Sequence, residues 1–258
     1  MPLKAKILPE LPYLRRYARA ITGSQKLGDA SVREVLEALL EAPHEFNLDA
    51  PARQELYRIY HKLWRSGLFA DLGDPLAGNR LDPVMRQMLL LSTVEGFSTA
   101  DTGIIMDRSE DEVRHELAVV RDVIANELKS TVVVIEDEPV IALHIKTIVE
   151  EVGHKVLGIA RTHREAVAMV ESTAPEIILA DINLADGSSG LDAVNDILAV
   201  SAIPVIFVTA YPERLLTGTK PEPTYLITKP FDPPVLVAMI AQAAMFERER
   251  AEMTREAA

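Results

Sequence analysis

Thr131-Val132-Val133-Val134-Ile135-Glu136-Asp137-Glu138-Pro139 is the stretch of sequence that decides the fold of the second half of the chain. Its first five residues are β-branched and mostly apolar, in a run too short for a helix, which predicts a strand buried on both faces. Three consecutive acids follow the run. Ligands of open parallel α/β sheets bind beyond the carboxyl ends of the strands, so acids there are placed to hold a cation. Charged residues also follow strands that simply end at the protein surface. The residues at the other strand ends are therefore needed to distinguish a cation site from an ordinary exposed strand end.

The composition is that of a globular protein, with 48% hydrophobic and 26% charged residues among 258. This length predicts two domains of ordinary size. No apolar run approaches the roughly 20 residues that span a bilayer, no signal-peptide pattern opens the chain, and cysteine is absent. We therefore expect a cytoplasmic protein without a membrane partner or thiolate metal sites. The formal net charge is −12, and neither half has the basic excess of a nucleic-acid binder.

The first half, residues 1–130, shows only helical patterns. Apolar residues at three- and four-residue spacing predict a helix from Leu11 to a stop at Gly23 and another that begins near Asp49 and stops at Gly67. Between them, a helix ends before Pro43 and begins either near Asp29 or near Ser24. Two small helical units, about 1–70 and 80–129, are predicted on either side of a linker over 71–79, which is rich in turn formers.

Two capping boxes predict a helix-turn-helix within the second helical unit. Ser98-Thr99-Ala100-Asp101 opens one helix, and Ser109-Glu110-Asp111-Glu112 opens the next after the short turn Asp107-Arg108. In a DNA reader the first turn of the second helix meets phosphates, but here that turn carries three acids, which disfavours binding to a polyanion. The acids also complement the helix dipole. On either interpretation we expect no DNA-binding residues.

Residues 131–258 alternate between strand and helix patterns, which is typical of a parallel sheet with helices on both faces. The predicted strands are 131–136, 155–160, 176–181, 203–208 and 224–228. The predicted helices are 138–152, 162–173, 189–200, a short one at 212–217, and 232–246. The sequence therefore predicts a multidomain protein, in which an all-α half precedes a doubly wound, five-stranded parallel α/β domain.

Polar side chains follow four of the five predicted strands. In strand order they are Glu136 with Asp137, then Asp181, Thr209 and Lys229. Mg²⁺ suits such an acid cluster because it binds through few carboxylates and keeps waters for a phosphate. Asp181 is then placed to attack a phosphoryl group, with Lys229 and Thr209 meeting the charge on its oxygens. Each residue also has an ordinary alternative role: Asp181 as a helix or loop cap, Lys229 as a solvated lysine, and Thr209 as a strand-end hydroxyl. Their joint occurrence at four strand ends favours the phosphoryl site.

The first half resembles the extracytoplasmic-function sigma factors. The segment Tyr17–Ser24, followed by Gly28-Asp29-Ala30, resembles the start of their region 2, and Leu89–Ser98 resembles their region 4. Asp107 and the acids after Ser109 replace the small and basic residues of a working recognition helix. The resemblance implies a sigma-like shape that is unfit for promoters.

Residues 131–246 resemble the receiver domain of two-component response regulators. The resemblance implies that Asp181 is the phosphoacceptor and that Thr209 and Lys229 contact the phosphoryl group. It also implies a Mg²⁺ site, whose ligands are Glu136, Asp137, Asp181 and the backbone carbonyl of Asn183. The Glu-Asp pair departs from the commoner Asp-Asp.

Receiver domains often place a switching aromatic three residues before the lysine, where this chain has Leu226. Aromatic residues stand nearby instead, and three of them are candidates for the switch: Phe207, Tyr211 and Tyr225. The resemblance thus implies a phosphorylation switch whose aromatic relay runs differently.

A sigma-like half followed by a receiver resembles the PhyR-type general stress response regulators. That resemblance implies that phospho-Asp181 opens the protein, so that the sigma-like half captures a NepR-like anti-sigma factor and releases the true sigma factor. It implies a sensor histidine kinase or phosphotransfer protein as phosphodonor, and no enzymatic activity beyond slow self-phosphorylation and dephosphorylation. Two alternatives stay open: a DNA-binding response regulator, and a metal-dependent phosphohydrolase, for which no second nucleophile stands in motif context.

Overall fold

The computed structural model describes residues 3–69, 82–127, 129–184, 189–215 and 223–256. The chain divides into two compact units, Met1–Arg121 and Asp122–Ala258. The first is helical and the second contains a parallel sheet, which confirms the predicted fold classes. The linker predicted over 71–79 lies outside the described residues, and the domain boundaries 1–130 and 131–258 stay a prediction. Among the described helices, none has the length and apolar composition that crossing a membrane requires.

Seven helices of the described residues begin in the first unit. They are α1 Leu3–Ile7, α2 Leu11–Thr22, α3 Gln25–Glu41, α4 Ala52–Arg65, α5 Pro83–Thr93, α6 Thr99–Met106 and α7 Glu110–Glu127. Gly23, in the left-handed conformation at φ 61°, ends α2, and the Ser24 side chain accepts from the Leu27 N–H to begin α3. The earlier of the two expected α3 starts is therefore the right one. Helix α1 was not predicted, since five residues are too few to show a period.

Helices α2 and α3 pack at very close range. A Cβ atom on Gly28 would lie 2.6 Å from the backbone nitrogen of Arg19, so the position accepts only glycine without a shift of one helix. The buried Arg19 guanidinium then pairs with Asp29, with Nε 2.8 Å from Oδ1. The segment that resembles sigma region 2 thus supplies the contact between these helices.

A buried carboxylate joins three elements of the first unit. Glu95, in the turn after α5, accepts hydrogen bonds from Arg16 of α2 and from Arg53 and Tyr57 of α4, at 2.8, 2.6 and 2.8 Å. The Glu95 side chain has no exposed surface, and that of Arg16 is 9% exposed. Buried hydrogen bonds and ion pairs therefore connect the stretch that resembles sigma region 4 to α2 and α4.

The helix-turn-helix forms as the capping boxes predict. Ser98 and Ser109 accept hydrogen bonds from the backbone N–H groups of Asp101 and Glu112, respectively. The turn between α6 and α7 is tight. Asp107 takes the left-handed conformation at φ 58°, and the chain after it passes so close to α6 that a Cβ atom on Gly103 would lie 2.6 Å from the Arg108 carbonyl oxygen.

The second unit is built on a five-stranded parallel sheet in the order β2-β1-β3-β4-β5. The strands are β1 Thr131–Ile135, β2 Lys155–Ala160, β3 Ile177–Ala180, β4 Val205–Thr209 and β5 Tyr225–Thr228. They lie within about two residues of their predicted bounds. The strand order reverses at β1, whose neighbours are β2 on one side and β3 on the other, and open sheets bind ligands at the carboxyl ends of strands at such a point.

Helices cover both faces of this sheet. They are α8 Pro139–Glu151, α9 His163–Thr173, α10 Gly190–Val200 and α11 Pro233–Glu256, with α8 and α11 on one face and α9 and α10 on the other. The apolar core on the second face includes Val133, Ile178 and Phe207. In the range 212–217, where a short helix was expected, the described residues form the 3-10 turn Pro212–Arg214, and 216–217 lie outside the described residues. Helix α11 continues past the expected end at 246.

Candidate functional site

Three carboxylates meet at the carboxyl edge of the sheet. Glu136 and Asp137 follow β1, and Asp181 follows the neighbouring β3. One oxygen of each lies within 4.8 Å of the other two. Glu136 is 1% exposed and Asp181 8%, so the repulsion between their carboxylates is weakly screened and nearby positive charge relieves it. The donor set fits a hard divalent ion such as Mg²⁺, which takes carboxylate oxygens and keeps several waters.

Lys229 joins the acids from the end of β5. Its Nζ lies 2.6 Å from Oε2 of Glu136 and 2.8 Å from Oδ2 of Asp181, and its side chain is 10% exposed. These charge-assisted hydrogen bonds hold the ammonium against the carboxylates of Glu136 and Asp181. The structure brings together Glu136, Asp137, Asp181 and Lys229, as the sequence predicts.

The charges in this cluster shift one another's pKa values. Burial raises the pKa of Glu136, and the hydrogen bond and charge of Lys229 only partly oppose that rise. Burial lowers the pKa of Lys229, but hydrogen bonds and charges from Asp181 and Glu136 outweigh it, so the pKa lies above its ordinary value. Lys229 therefore stays protonated at neutral pH.

Thr209 ends β4, next to the strand that delivers Lys229. It is fully buried, its carbonyl accepts from the Lys229 N–H at 2.8 Å, and its Oγ1 accepts from the Tyr211 N–H at 3.2 Å. A hydroxyl that accepts from the backbone keeps its own proton available for another acceptor. The adjacent strand ends thus present a hydroxyl and an ammonium at the same edge.

Gly190 supports Asp181 from the start of α10. Its N–H donates to the carbonyl of Ile182, and a Cβ atom at this position would lie 1.8 Å from the Asp181 carbonyl oxygen. The Ile182 N–H in turn donates to Oδ1 of Asp181 at 2.6 Å, which fixes the carboxylate. Position 190 lies in the helix predicted over 189–200, and no local pattern in the sequence indicates this contact, because it forms only when α10 packs against β3.

Asn183, the last predicted metal ligand, is exposed and pairs with Ser189 in an isolated antiparallel bridge. Its Oδ1 accepts a hydrogen bond from Nη1 of Arg214 at 3.0 Å. Sequence reasoning missed Arg214, and its only signal is its place shortly after the aromatic-proline pair Tyr211-Pro212. The coordination role of the Asn183 carbonyl stays a prediction.

The three switch candidates lie in different environments. Phe207 and Tyr225 are each 4% exposed, with Phe207 in the core under α9 and α10. Tyr211 is 48% exposed, and the Arg214 guanidinium carbon lies 5.4 Å from its ring centroid. Leu226 is buried in the same core as Phe207. Tyr211 is thus the candidate that can move without opening the core.

The first turn of α7 presents acids at the surface. Asp111 has a side chain that is 90% exposed, and Glu110 and Asp111 both accept hydrogen bonds from Arg114 one turn later. Glu112 accepts from the N–H and hydroxyl of Ser109, which lowers its pKa. Carboxylates therefore stand where a DNA reader would face phosphates, and this geometry does not favour DNA binding.

Comparisons with known proteins cover nearly the whole chain. Three family profiles match: "Sigma2 domain of PhyR" over residues 7–61, "Response regulator PhyR, sigma-like domain" over 79–119, and "Response regulator receiver domain" over 132–241. The "Phyllosphere-induced regulator PhyR" of Methylorubrum extorquens is 45% identical over an alignment of 251 residues that covers 94% of each chain. The crystal structure of the response regulator PhyR from Brucella abortus matches with a TM-score of 0.87 and 44% identity, over 99% of this chain and 98% of that one. The anti-anti-sigma factor PhyR from Bartonella quintana matches with a TM-score of 0.89 and 45% identity, over 98% and 100%.

Proposed function

This chain belongs to the PhyR family of response regulators, and from that membership we propose that it is a phosphorylation-activated anti-anti-sigma factor. The observation that carries the proposal is the bridge from Lys229 to both Glu136 and Asp181 at the sheet edge. The same chain holds a helix-turn-helix whose second helix opens with acids. A phosphoryl site and a sigma-like unit that does not suit DNA together support a switch that acts on a protein partner.

In the proposed reaction, a carboxylate oxygen of Asp181 attacks the phosphorus of a phosphohistidine or of a small acyl phosphate. An oxygen–phosphorus bond forms as the bond from phosphorus to the donor breaks, and the donor leaves with the bonding electrons. Lys229 is already 2.8 Å from Asp181 and stabilises charge on the transferred oxygens, together with the Thr209 hydroxyl. Glu136, Asp137 and Asp181 would hold Mg²⁺, which supplies counter-charge to the phosphoryl oxygens.

The partner of the proposed switch is a NepR-like anti-sigma factor, captured by the helical unit once Asp181 is phosphorylated. Moving such an equilibrium from 1:99 to 99:1 takes about 5.5 kcal/mol of preference for the open state. Phosphorylation and the partner share that preference. If the unphosphorylated protein is about 1% open, phosphorylation tightens partner binding by up to about 100-fold.

Calorimetry with a purified NepR-like anti-sigma factor tests this proposal. We expect the full-length protein with Mg²⁺ to bind more tightly after treatment with acetyl phosphate, and Asp181→Ala to lose that gain. Glu171→Ala, which removes an exposed acid of α9, is the charge-matched control and should respond like the wild type. Equal binding with and without acetyl phosphate, or a phosphorylation gain that persists in Asp181→Ala, contradicts the proposal.

A further inference from the structure

One arginine ties together two loops at the carboxyl edge of the sheet. Nη1 of Arg214, after β4, donates to Oδ1 of Asn183, after β3, at 3.0 Å. We propose that Arg214 is a positioning residue for Mg²⁺ binding: by holding Asn183 it fixes the backbone whose carbonyl completes the metal site. This inference rests on the proposed phosphoacceptor function, because the Asn183 carbonyl matters only if the acid cluster binds a metal.

Arg214 itself is held in place from two directions. It ends the 3-10 turn Pro212–Arg214, and its N–H donates to the Tyr211 carbonyl at 3.1 Å. Its guanidinium carbon lies 5.4 Å from the Tyr211 ring centroid, where the ring quadrupole attracts the cation. A planar guanidinium both stacks on a ring and donates at its edge, which a lysine ammonium does less well. The side chain therefore reaches Asn183 in a defined geometry.

Few of the described residues hold Asn183 in place. Ile182, before it, is anchored by the bond from the Gly190 N–H, whereas Asn183 is exposed and, within the described part of the chain, pairs with Ser189 in an isolated bridge. The hydrogen bond from Arg214 is the side-chain contact that the described residues give Asn183. Outer partners of this kind orient metal ligands, and their loss lowers affinity.

The same arginine connects the Asn183 loop to Thr209. The Tyr211 N–H donates to Thr209 Oγ1 at 3.2 Å, and the Tyr211 ring carries the Arg214 guanidinium. Thr209, Tyr211, Arg214 and Asn183 thus form one continuous path between the hydroxyl proposed to contact the phosphoryl group and the carbonyl proposed to bind the metal.

Charge and positioning predict opposite effects of removing Arg214. A cation near a Mg²⁺ site repels the ion, so the loss of Arg214 by charge alone tightens Mg²⁺ binding. Loss of a positioning contact weakens it. For a contact at the surface we expect the weakening to be about three- to tenfold, at or below the low end of the usual effect of outer partners.

The test measures Mg²⁺ binding to the full-length protein by calorimetry, for the wild type, Arg214→Gln and Arg214→Lys. Lys155→Gln is the matched control, because it removes one exposed positive charge at the opposite edge of the sheet, where β2 begins. We expect Arg214→Gln to raise the Mg²⁺ dissociation constant about three- to tenfold, Arg214→Lys to recover only part of the loss, and Lys155→Gln to bind like the wild type.

Phosphorylation of Asp181 by acetyl phosphate, followed by intact-mass spectrometry, supplies the second measurement. In Arg214→Gln the half-saturating Mg²⁺ concentration should rise by the same factor, while the rate at saturating Mg²⁺ changes less than about twofold. Unchanged or tighter Mg²⁺ binding in Arg214→Gln overturns the positioning role and leaves the phosphoacceptor intact. A wild type that binds Mg²⁺ but takes no phosphoryl group on Asp181 overturns the proposed function instead.

Discussion

At the scale of single residues, the geometry of the acid cluster depends on the backbone around Asp181. The Asp181 carboxylate is held by the Ile182 N–H, while its carbonyl oxygen lies where a side chain at position 190 would begin. Glycine at 190 therefore lets α10 approach β3, and this approach closes the loop that carries Asn183. The geometry of the acid cluster thus rests on a residue that has no side chain.

Gly190→Ala should damage both stability and the site. Its methyl carbon would sit 1.8 Å from a backbone oxygen, so the helix or strand end must move, and overpacking of this kind costs about 1–3 kcal/mol or more. We expect a lower urea midpoint by circular dichroism and slower phosphorylation by acetyl phosphate. Gly158→Ala is the control, because there the new methyl meets the Met169 side chain, which can rotate away. A Gly190→Ala protein as stable and reactive as Gly158→Ala contradicts this explanation.

At the scale of elements, buried charge joins the helices of the first unit. Glu95 lies in the turn after α5, and its carboxylate accepts hydrogen bonds from two arginines and a tyrosine of α2 and α4. A buried ion pair contributes little net stability compared with apolar packing, but removal of one member leaves the other charge buried without compensation. The network therefore specifies how these helices meet.

Glu95→Gln should destabilise the first unit by about 3 kcal/mol, because the Arg16 charge stays buried after its partner is neutralised. The single tryptophan, Trp64 in α4, makes fluorescence-detected denaturation specific to this unit. Glu45→Gln, which breaks the surface pair with Lys62, is the control and should cost less than about 1 kcal/mol. Similar costs for the two variants would show that Glu95 acts as a surface charge.

At the scale of the whole molecule, the proposed switch is a coupling between two sites. If phosphorylation tightens anti-sigma binding by some factor, the anti-sigma factor favours the phosphorylated form by the same factor. We propose Thr209 as the first residue of that coupling, since it ends β4 at the same edge of the sheet as Asp181 and its hydroxyl accepts from the Tyr211 backbone. In this proposal Tyr211, which is half exposed, carries the change outward without disturbing the core.

Thr209→Ala should separate phosphorylation from its consequence. Asp181 keeps its carboxylate and Lys229, so we expect acetyl phosphate to phosphorylate the variant, although loss of one hydrogen-bond donor to the phosphoryl oxygens slows the reaction by about 10²-fold. The gain in anti-sigma affinity on phosphorylation should fall by about tenfold, as calorimetry on samples of known phosphorylation will measure. Thr228→Ala is the control, because it makes the same substitution at the end of the neighbouring strand β5 and should keep the full gain. A full affinity gain in Thr209→Ala excludes Thr209 from the coupling.

Local sequence was enough for the element types and for the acids at the sheet edge. Runs of β-branched residues indicate buried strands, and apolar residues repeated with a period of 3.6 indicate helices. Both patterns can be recognised without knowing which elements pack together. The rule that parallel strands end at one edge then predicted that Glu136, Asp181 and Lys229 would meet, which their distances of 2.6 and 2.8 Å confirm. Helix α1 escaped, since its five residues do not show a full period, whereas the short helix expected at 212–217 contains the 3-10 turn Pro212–Arg214.

Contacts between residues far apart in the sequence could not be predicted, because no periodic pattern connects the two positions. Glu95 meets Arg16 across 79 positions, and Arg214 meets Asn183 across 31. No local propensity encodes these pairs, because they arise only when separate helices and loops close on one another. The sequence by itself determined which polar residues follow each strand. Only the tertiary structure decided which of these residues are in contact, and burial and distance then set the strength of each interaction between charges.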